Sequence, residues 1–91
     1  MRICWDTWNI GHIARHRVRK AEVEEALRDP RRYVARTRTK SKSERRYLVI
    51  GRTLGGRMLR VILALKENCV YPITAFDATD ADRRLYRRKQ R

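Results

Sequence analysis

The period of apolar and polar residues changes twice along the chain, and so divides it into three parts. Residues 2–6, RICWD, predict a short first strand, and Asp6 or Thr7 can cap the helix that follows. The apolar residues that recur at helical spacing there are Ile10, Ile13 and Ala14, with Trp5 and Trp8 anchoring the helix start. Residues 18–30 predict a second helix, which ends at Pro30 and places Val23, Ala26 and Leu27 on one face.

From Tyr33 onward the period becomes two, which is typical of β-strands. Four such runs follow one another, at residues 33–37, 45–53, 58–66 and 69–77. A charged loop, a paired-glycine turn and a two-residue reversal separate them, so an antiparallel meander is the simplest topology. Because Pro72 has no backbone N–H, we expect the last strand to lie at an edge or to be bulged there.

The last part of the chain predicts a third helix. Thr79 can be its N-cap, with Asp82 three residues on as the capping-box partner, and acidic residues precede basic ones as the helix dipole favours. The apolar stripe of this helix consists of Ala78, Ala81, Leu85 and Tyr86. Residues 87–91 are expected to fray into solvent.

These elements predict an α+β fold in a single domain over residues 1–91. It would have a small four-stranded antiparallel sheet, with or without a short extra N-terminal strand. Two N-terminal helices and one C-terminal helix would pack on it.

The charge of the chain narrows the class of partner. There are 24 Lys and Arg against 10 Asp and Glu, a formal net charge of +14, which favours an anionic partner. Nucleic acid is favoured over an acidic protein or a membrane surface, because arginine grips phosphate bidentately. No apolar run is long enough to span a bilayer. No signal-peptide pattern is found, so Cys4 and Cys69 are expected to be reduced thiols in a cytoplasmic protein.

Three basic clusters, at residues 15–20, 36–46 and 83–91, are the candidates for a functional surface. They either meet at one rim of the sheet and bind phosphate, or remain three solvated faces. His12 and His16 are four residues apart on one helix face, but neither an intervening glutamate nor a third ligand completes a metal site. We therefore expect no metal and no cofactor.

RNA cleavage without a metal needs a group to activate the ribose 2′-hydroxyl, cations to stabilise the phosphorane and an acid for the leaving oxygen. His16 fits a proton carrier or a phosphate contact, because imidazole titrates near neutral pH; a partly buried helix-end histidine is the alternative. The side chains that supply this chemistry, if the fold gathers them, are His16, Arg46, Arg57, Arg83, Arg84 and Tyr86.

The order of the motifs resembles one family. CWD, a helix ending in RH, VEEALRDP, ERRYLVIGRT with LGGRMLRVILA, and a closing ITA with RRLYRR together resemble the BrnT-like toxins of the RelE-like ribonuclease group. The resemblance implies a type II toxin-antitoxin system whose toxin cleaves mRNA, on the ribosome or free, without a metal and so inhibits translation. It also implies an acidic antitoxin with a ribbon-helix-helix DNA-binding domain, and contact with operator DNA only through the toxin-antitoxin complex.

The resemblance and the basic clusters together predict the residues of a site. The catalytic candidates are His16, Arg46, Arg57, Arg83 and Tyr86, and the RNA-binding candidates are Arg15, Arg45, Arg60, Arg84, Arg87 and Arg88. The Ser-Ala-Arg usual in the last strand is Thr74-Ala75-Phe76 here, so the arginine expected at the scissile phosphate is replaced by Phe76.

Two kinds of function follow from Phe76. Either Arg60 or Arg46 substitutes for the missing arginine and the chain is an endoribonuclease, or the chain is a non-catalytic module. Such a module would bind nucleic acid or dock an acidic antitoxin-like protein through its basic surface.

Overall fold

A computed structural model describes residues 2–38 and 44–90 of the chain. Its elements are α1 (Thr7–Ala14), α2 (Lys20–Leu27), β1 (Tyr33–Thr37), β2 (Arg45–Arg52), β3 (Met58–Lys66), β4 (Cys69–Asp77) and α3 (Asp80–Lys89). The strands form one antiparallel sheet in the order β1-β2-β3-β4. The predicted α+β fold and meander are confirmed. Part of the charged loop predicted before β2, at residues 39–43, lies outside the described residues.

The predicted N-terminal strand is reduced to a single bridge. Ile3 pairs with Val70 in parallel, and the backbone of Cys4 donates to Val70 O at 2.8 Å. Asp6 then caps α1 as predicted, with its side chain accepting from Asn9 N at 3.0 Å.

The predicted apolar face of α1 is wrong in part. Ile13 is fully buried, but Ile10 is 41% exposed and Ala14 is also exposed. The reason is Asn9, whose buried side-chain amide donates to Cys4 O at 3.1 Å and to Pro72 O at 3.0 Å. This polar anchor sets the rotation of the helix about its axis, because leaving the buried amide without partners would cost more than exposing Ile10.

Of the two tryptophans expected to anchor the start of α1, one is partly buried and the other is exposed. Trp5 is half-buried and donates its indole N–H to Glu24 Oε2 at 2.9 Å. Trp8 is 55% exposed and stacks on His12, with ring centroids 4.8 Å apart. Of the two tryptophans, Trp5 is therefore the one that bonds to α2.

The sheet separates two apolar layers. Packed against α1 and α2 on one face are Val49, Leu59, Val61, Leu63 and Ala75; on the other, Leu48, Ile50 and Met58 pack against Tyr86 of α3. The predicted inward residues of α2, Val23, Ala26 and Leu27, are all buried. Helix α2 lies directly on β2 at Gly51, where a Cβ atom would stand 2.1 Å from Ala26 O.

The turns follow the sequence prediction. The hairpin between β2 and β3 closes with Thr53 N donating to Arg57 O at 2.8 Å, and Gly56 adopts φ 91, a left-handed conformation that favours glycine. The β3–β4 register shifts beside Pro72, which lies on the edge strand as expected.

Helix α3 begins with the predicted capping box of Thr79 and Asp82. The expected frayed tail is wrong for residues 87–90, because α3 continues to Lys89. Lys89 Nζ donates to Arg32 O at 2.7 Å and Gln90 Nε2 to Arg31 O at 3.0 Å. The C-terminal turn is thereby tied to the segment before β1.

The cysteines correct another expectation. Cys4 and Cys69 form a disulfide across 65 residues, with Cα atoms 5.8 Å apart, instead of two reduced thiols. Their proximity results from the bridge between Ile3 and Val70, which sequence spacing does not reveal. No helix within residues 2–38 and 44–90 is long and apolar enough to cross a membrane.

Candidate functional site

The end of β4 carries an aromatic ring with two basic groups next to it. The ring of Phe76 lies 5.5 Å from that of His16, at an interplanar angle of 51°, and 5.9 Å from the Arg60 guanidinium. Arg60 lies directly opposite Phe76 in the β3–β4 register, and His16 is exposed in the turn that follows α1. An imidazole and a guanidinium thus meet where the resemblance expects the strand arginine.

Arg60 retains hydrogen-bonding capacity. Its Nη1 is 3.5 Å from Asp82 Oδ1, a long contact, and its side chain is one-third exposed. The Nε atom of Arg60 is buried and has no hydrogen-bond partner among the described residues. Asp82 also accepts from Thr79 N in the capping box, which fixes the position of its carboxylate. Asp82 therefore holds Arg60 in place, while other N–H donors of Arg60 have no partner in the described residues.

Arg57 is arranged in the opposite way. Its Nε donates to Asp77 Oδ1 at 2.7 Å, and its Nη1 lies 3.2 Å from both carboxylate oxygens of Glu22. Its Nη1 also donates to Arg17 O at 2.8 Å and its Nη2 to His16 O at 3.4 Å. The guanidinium therefore joins α2, β4 and the turn that carries His16.

This turn needs such support. Arg17 adopts φ 57, a left-handed conformation unfavourable for a residue other than glycine. The hydrogen bonds from Arg57 to the carbonyls of His16 and Arg17 hold the backbone there. We call the group formed by Arg57, Glu22, Asp77 and these two carbonyls the Arg57 clamp.

The clamp shifts the titration of its members. Hydrogen bonding from Arg57 lowers the pKa of Asp77, and the positive charge of Arg83 contributes to the same shift. Burial acts to raise the pKa of Glu22, but hydrogen bonds from Arg19 N and Arg57 outweigh it, and the pKa is lowered. Hydrogen bonding to Asp77, helped by Glu22, raises the pKa of Arg57 above its ordinary value. All three charges therefore persist at neutral pH.

Two of the predicted catalytic residues lie elsewhere. The Tyr86 hydroxyl donates to Asp29 Oδ2 at 2.7 Å, its ring is buried beneath α3, and Arg52 lies 5.5 Å from the ring centroid. Burial and the bond to Asp29 raise the pKa of Tyr86. Arg46 lies at the opposite end of the sheet, opposite Ala64, where its Nε donates to Glu44. Their catalytic roles stay predictions.

The predicted RNA-binding residues are spread over three places. Arg15 is exposed beside His16, and Arg60 lies within the site. Arg84, Arg87 and Arg88 lie together on the exposed side of α3, whereas Arg45 lies beside Arg46 at the far end of β2. Only the first two, with Arg83 near Asp77, belong to the end of β4.

Sequence reasoning missed the carboxylates that hold this site together. Neither Asp77 nor Glu22 was among the site residues predicted from the sequence, yet both bind Arg57. The excess of arginine over carboxylate indicates that each acid has a cationic partner. The sequence does not identify that partner, because Asp77 and Glu22 lie 20 and 35 residues from Arg57. No cluster of three metal-ligating side chains occurs in the part of the chain that the structure describes.

Comparison with known families identifies the chain. A family model described as "Ribonuclease toxin, BrnT, of type II toxin-antitoxin system" matches residues 5–82. The chain belongs to this BrnT family. The matched span contains His16, Arg57, Arg60 and Phe76, and it ends before Arg83. Membership in this family implies an RNA substrate and an antitoxin protein as partner. No curated protein matches the chain.

Proposed function

We propose that this BrnT-family chain is an endoribonuclease that cleaves mRNA without a metal ion and so inhibits translation. The observation that supports the proposal is that His16 and Arg60 both lie next to the ring of Phe76. Arg60 would replace the absent strand arginine, because it comes from the neighbouring strand and reaches the same end of β4.

In the proposed reaction the ribose 2′-oxygen attacks the adjacent phosphorus and the bond to the 5′-oxygen breaks. The exposed imidazole of His16 accepts the 2′-hydroxyl proton and returns it to the departing 5′-oxygen. Arg60, whose side chain is one-third exposed and makes a single long contact to Asp82, stabilises the charge of the phosphorane through its guanidinium. The products are a 2′,3′-cyclic phosphate and a 5′-hydroxyl end.

The remaining candidates take supporting roles in this proposal. Arg15 and Arg83, which lie near the site, would bind flanking phosphates, as would Arg84, Arg87 and Arg88 on the exposed side of α3. Arg45 and Arg46 would contact RNA only if the strand extends along the sheet to its other end. Tyr86 would act through packing, because its hydroxyl is engaged by Asp29.

We further propose that an acidic antitoxin with a ribbon-helix-helix domain neutralises the toxin, and that only their complex contacts operator DNA. The +14 net charge supports an acidic partner. The proposed site of action is the cytoplasm. Cytosolic disulfides are rare, so the active toxin would have Cys4 and Cys69 reduced. Neither cysteine belongs to the proposed site, and cleavage should therefore proceed equally with and without reductant.

The test is cleavage of a defined RNA by purified protein in EDTA, with analysis of the new ends. His16→Asn and Arg60→Gln should each abolish most of the activity. His12→Asn is the matched control, because His12 lies in α1, just before the turn that carries His16, and its ring stacks on Trp8. Cleavage that survives in both His16→Asn and Arg60→Gln, or that disappears in EDTA, would refute this mechanism.

Phe76 itself favours a second function, a module that binds RNA without cutting it. Phe76 removes a cation from the expected position and places an apolar ring there. Under this function, Phe76→Arg would leave the protein inactive. Under the proposed enzyme, Phe76→Arg adds a second cation beside Arg60 and should raise the cleavage rate, so the same variant separates the two functions.

A further inference from the structure

A second basic surface lies beside the hairpin between β2 and β3. A cleft of about 640 Å³ opens between the segment after α2, this hairpin and α3. Three arginines line it, Arg28, Arg31 and Arg52, and we call it the arginine cleft. None of the three was among the site residues predicted from the sequence.

The two carboxylates in the arginine cleft are already engaged. Asp29 accepts hydrogen bonds from the Tyr86 hydroxyl at 2.7 Å, from Arg52 N at 2.8 Å and from Arg31 N at 2.9 Å. Burial acts to raise the pKa of Asp29, but these hydrogen bonds outweigh it and the pKa is lowered. Glu25 accepts from Leu54 N at 3.0 Å. Both acids therefore serve to fix the backbone that forms the walls.

The three guanidinium groups, by contrast, have donors to spare. The guanidinium groups of Arg31 and Arg52 donate no hydrogen bond to any residue in 2–38 or 44–90, and Arg28 makes a single ion pair, 3.9 Å from Glu24. Arg52 is held over the Tyr86 ring, 5.5 Å from its centroid. A cationic group that is positioned by a ring and donates no hydrogen bond within the described residues is well suited to a phosphate.

The arginine cleft lies at the same end of the sheet as the candidate site. Arg52 ends β2, Asp77 ends β4, and β3 alone separates the two strands. Two strand spacings amount to roughly 10 Å. One RNA strand can therefore pass from Phe76 across the base of the hairpin into the arginine cleft.

We propose that the arginine cleft binds the phosphate backbone of single-stranded RNA next to the cleaved position. This inference rests on the proposed function for the identity of the ligand. RNA is preferred to an acidic peptide because the cleft lies at the same end of the sheet as the candidate reaction site and is lined by three arginines. The contacts are to phosphate, so they would extend the bound length of RNA without adding sequence preference.

The test measures binding of a 2′-O-methyl RNA, which lacks the attacking hydroxyl, as a function of salt. The triple variant Arg28→Gln/Arg31→Gln/Arg52→Gln removes the proposed contacts, and Arg28→Gln alone removes an exposed one without touching Tyr86. The matched control, Arg2→Gln/Arg36→Gln/Arg38→Gln, removes the same charge from exposed positions at the opposite end of the sheet.

The triple variant is expected to bind at least tenfold more weakly, with the salt slope reduced by about 2, because each lost phosphate contact contributes about 0.7 for single strands. The control should change both values less. Equal effects in the two triple variants would mean diffuse attraction and would overturn the proposal. A variant that keeps RNA affinity but no longer binds polyglutamate would assign the cleft to an acidic protein and would overturn it too.

The same experiment separates this proposal from the function on which it rests. If wild type binds 2′-O-methyl RNA through the cleft yet never cuts ordinary RNA, the cleft stands and the proposed cleavage fails. If wild type does not bind RNA at all, both fail.

Discussion

Two arginines three residues apart, Arg57 and Arg60, flank the start of β3 and differ in almost every contact. Arg57 donates hydrogen bonds to four residues and bridges two carboxylates. Arg60 has one long contact, to Asp82, and a buried Nε without a partner among the described residues. The same side chain thus serves as a structural tie at one position and as an available cation at the other.

The difference shows why a charge count cannot locate a site. A guanidinium whose donors are satisfied by protein acceptors gains little from a phosphate, since binding would first break those bonds. Resemblance placed Arg57 among the catalytic residues, but its contacts make it a positioning residue for His16 in the proposed enzyme. Arg60, predicted to bind RNA and named with Arg46 as a possible substitute for the strand arginine, makes one long ion pair and so keeps donors available for a phosphate.

The largest expected effect concerns the reaction. Arg60→Gln should lower kcat by about 10²- to 10³-fold, the usual cost of removing one positioned group that stabilises transition-state charge. Its free energy of unfolding should change by less than about 1 kcal/mol, because the contact to Asp82 is long and partly exposed. Single-turnover cleavage and urea unfolding give the two values. A loss of stability comparable with that of Arg57→Ala would contradict the contrast.

Arg57→Ala should have the next largest effect, and chiefly on stability. The free energy of unfolding should fall by about 2–3 kcal/mol, because two carboxylates and two carbonyls lose charge-assisted hydrogen bonds. Urea unfolding measures this loss. Cleavage should fall with it as the His16 turn loosens, and lower temperature should restore part of the rate relative to wild type. A stable Arg57→Ala protein with no activity would show instead that Arg57 contacts the substrate.

Low pH should produce a smaller difference, between the stabilities of the Arg57 and Arg60 variants. The pKa values of Glu22 and Asp77 are lowered in the folded protein, so their stabilisation is present above their unfolded values of 4.5 and 3.8 and is lost as pH falls through the folded values. Wild type and Arg60→Gln should therefore lose stability below about pH 4.5 more steeply than Arg57→Ala. Thermal unfolding from pH 7 to pH 3 measures this, and parallel curves for all three would count against the clamp.

The smallest effect is expected at Phe76. Phe76→Leu keeps an apolar residue but removes the ring that lies next to His16 and Arg60. The activation free energy of cleavage should rise by about 0.5–1.5 kcal/mol, which lowers kcat by up to about tenfold. Stability should hardly change, because Phe76 is only half-buried. If kcat is unaffected while Arg60→Gln is inactive, the ring does not orient the two basic groups.

The sequence predicted the sheet far better than the site, and the reason is physical. Alternating apolar residues and turn chemistry act locally, so the strand limits, the Thr79 cap and the edge position of Pro72 were all within reach. The rotation of α1 was not, because it depends on the hydrogen bond from Asn9 to Pro72 O, 63 residues away.

The same limit applied to the acids and the cysteines. Nothing near Asp77 in the sequence indicates Arg57 as its partner, and nothing near Cys4 indicates Cys69. His16, Arg57, Arg60 and Phe76 were all singled out from the sequence, but which of the arginines is already engaged became visible only through contacts between elements.

The disulfide gives the chain a topology that its linear order conceals. Residues 4–69 form a closed covalent ring that contains α1, α2 and the first three strands, and most of β4 with α3 forms an open tail. The ring supplies His16, Arg57 and Arg60, and the tail supplies Phe76, Asp77 and Asp82. A single protease cut inside the ring leaves both halves joined through sulfur, whereas a cut just after Cys69 separates them. In the oxidised protein a single nick therefore divides the candidate site between two polypeptides only where it falls between Cys69 and Asp82.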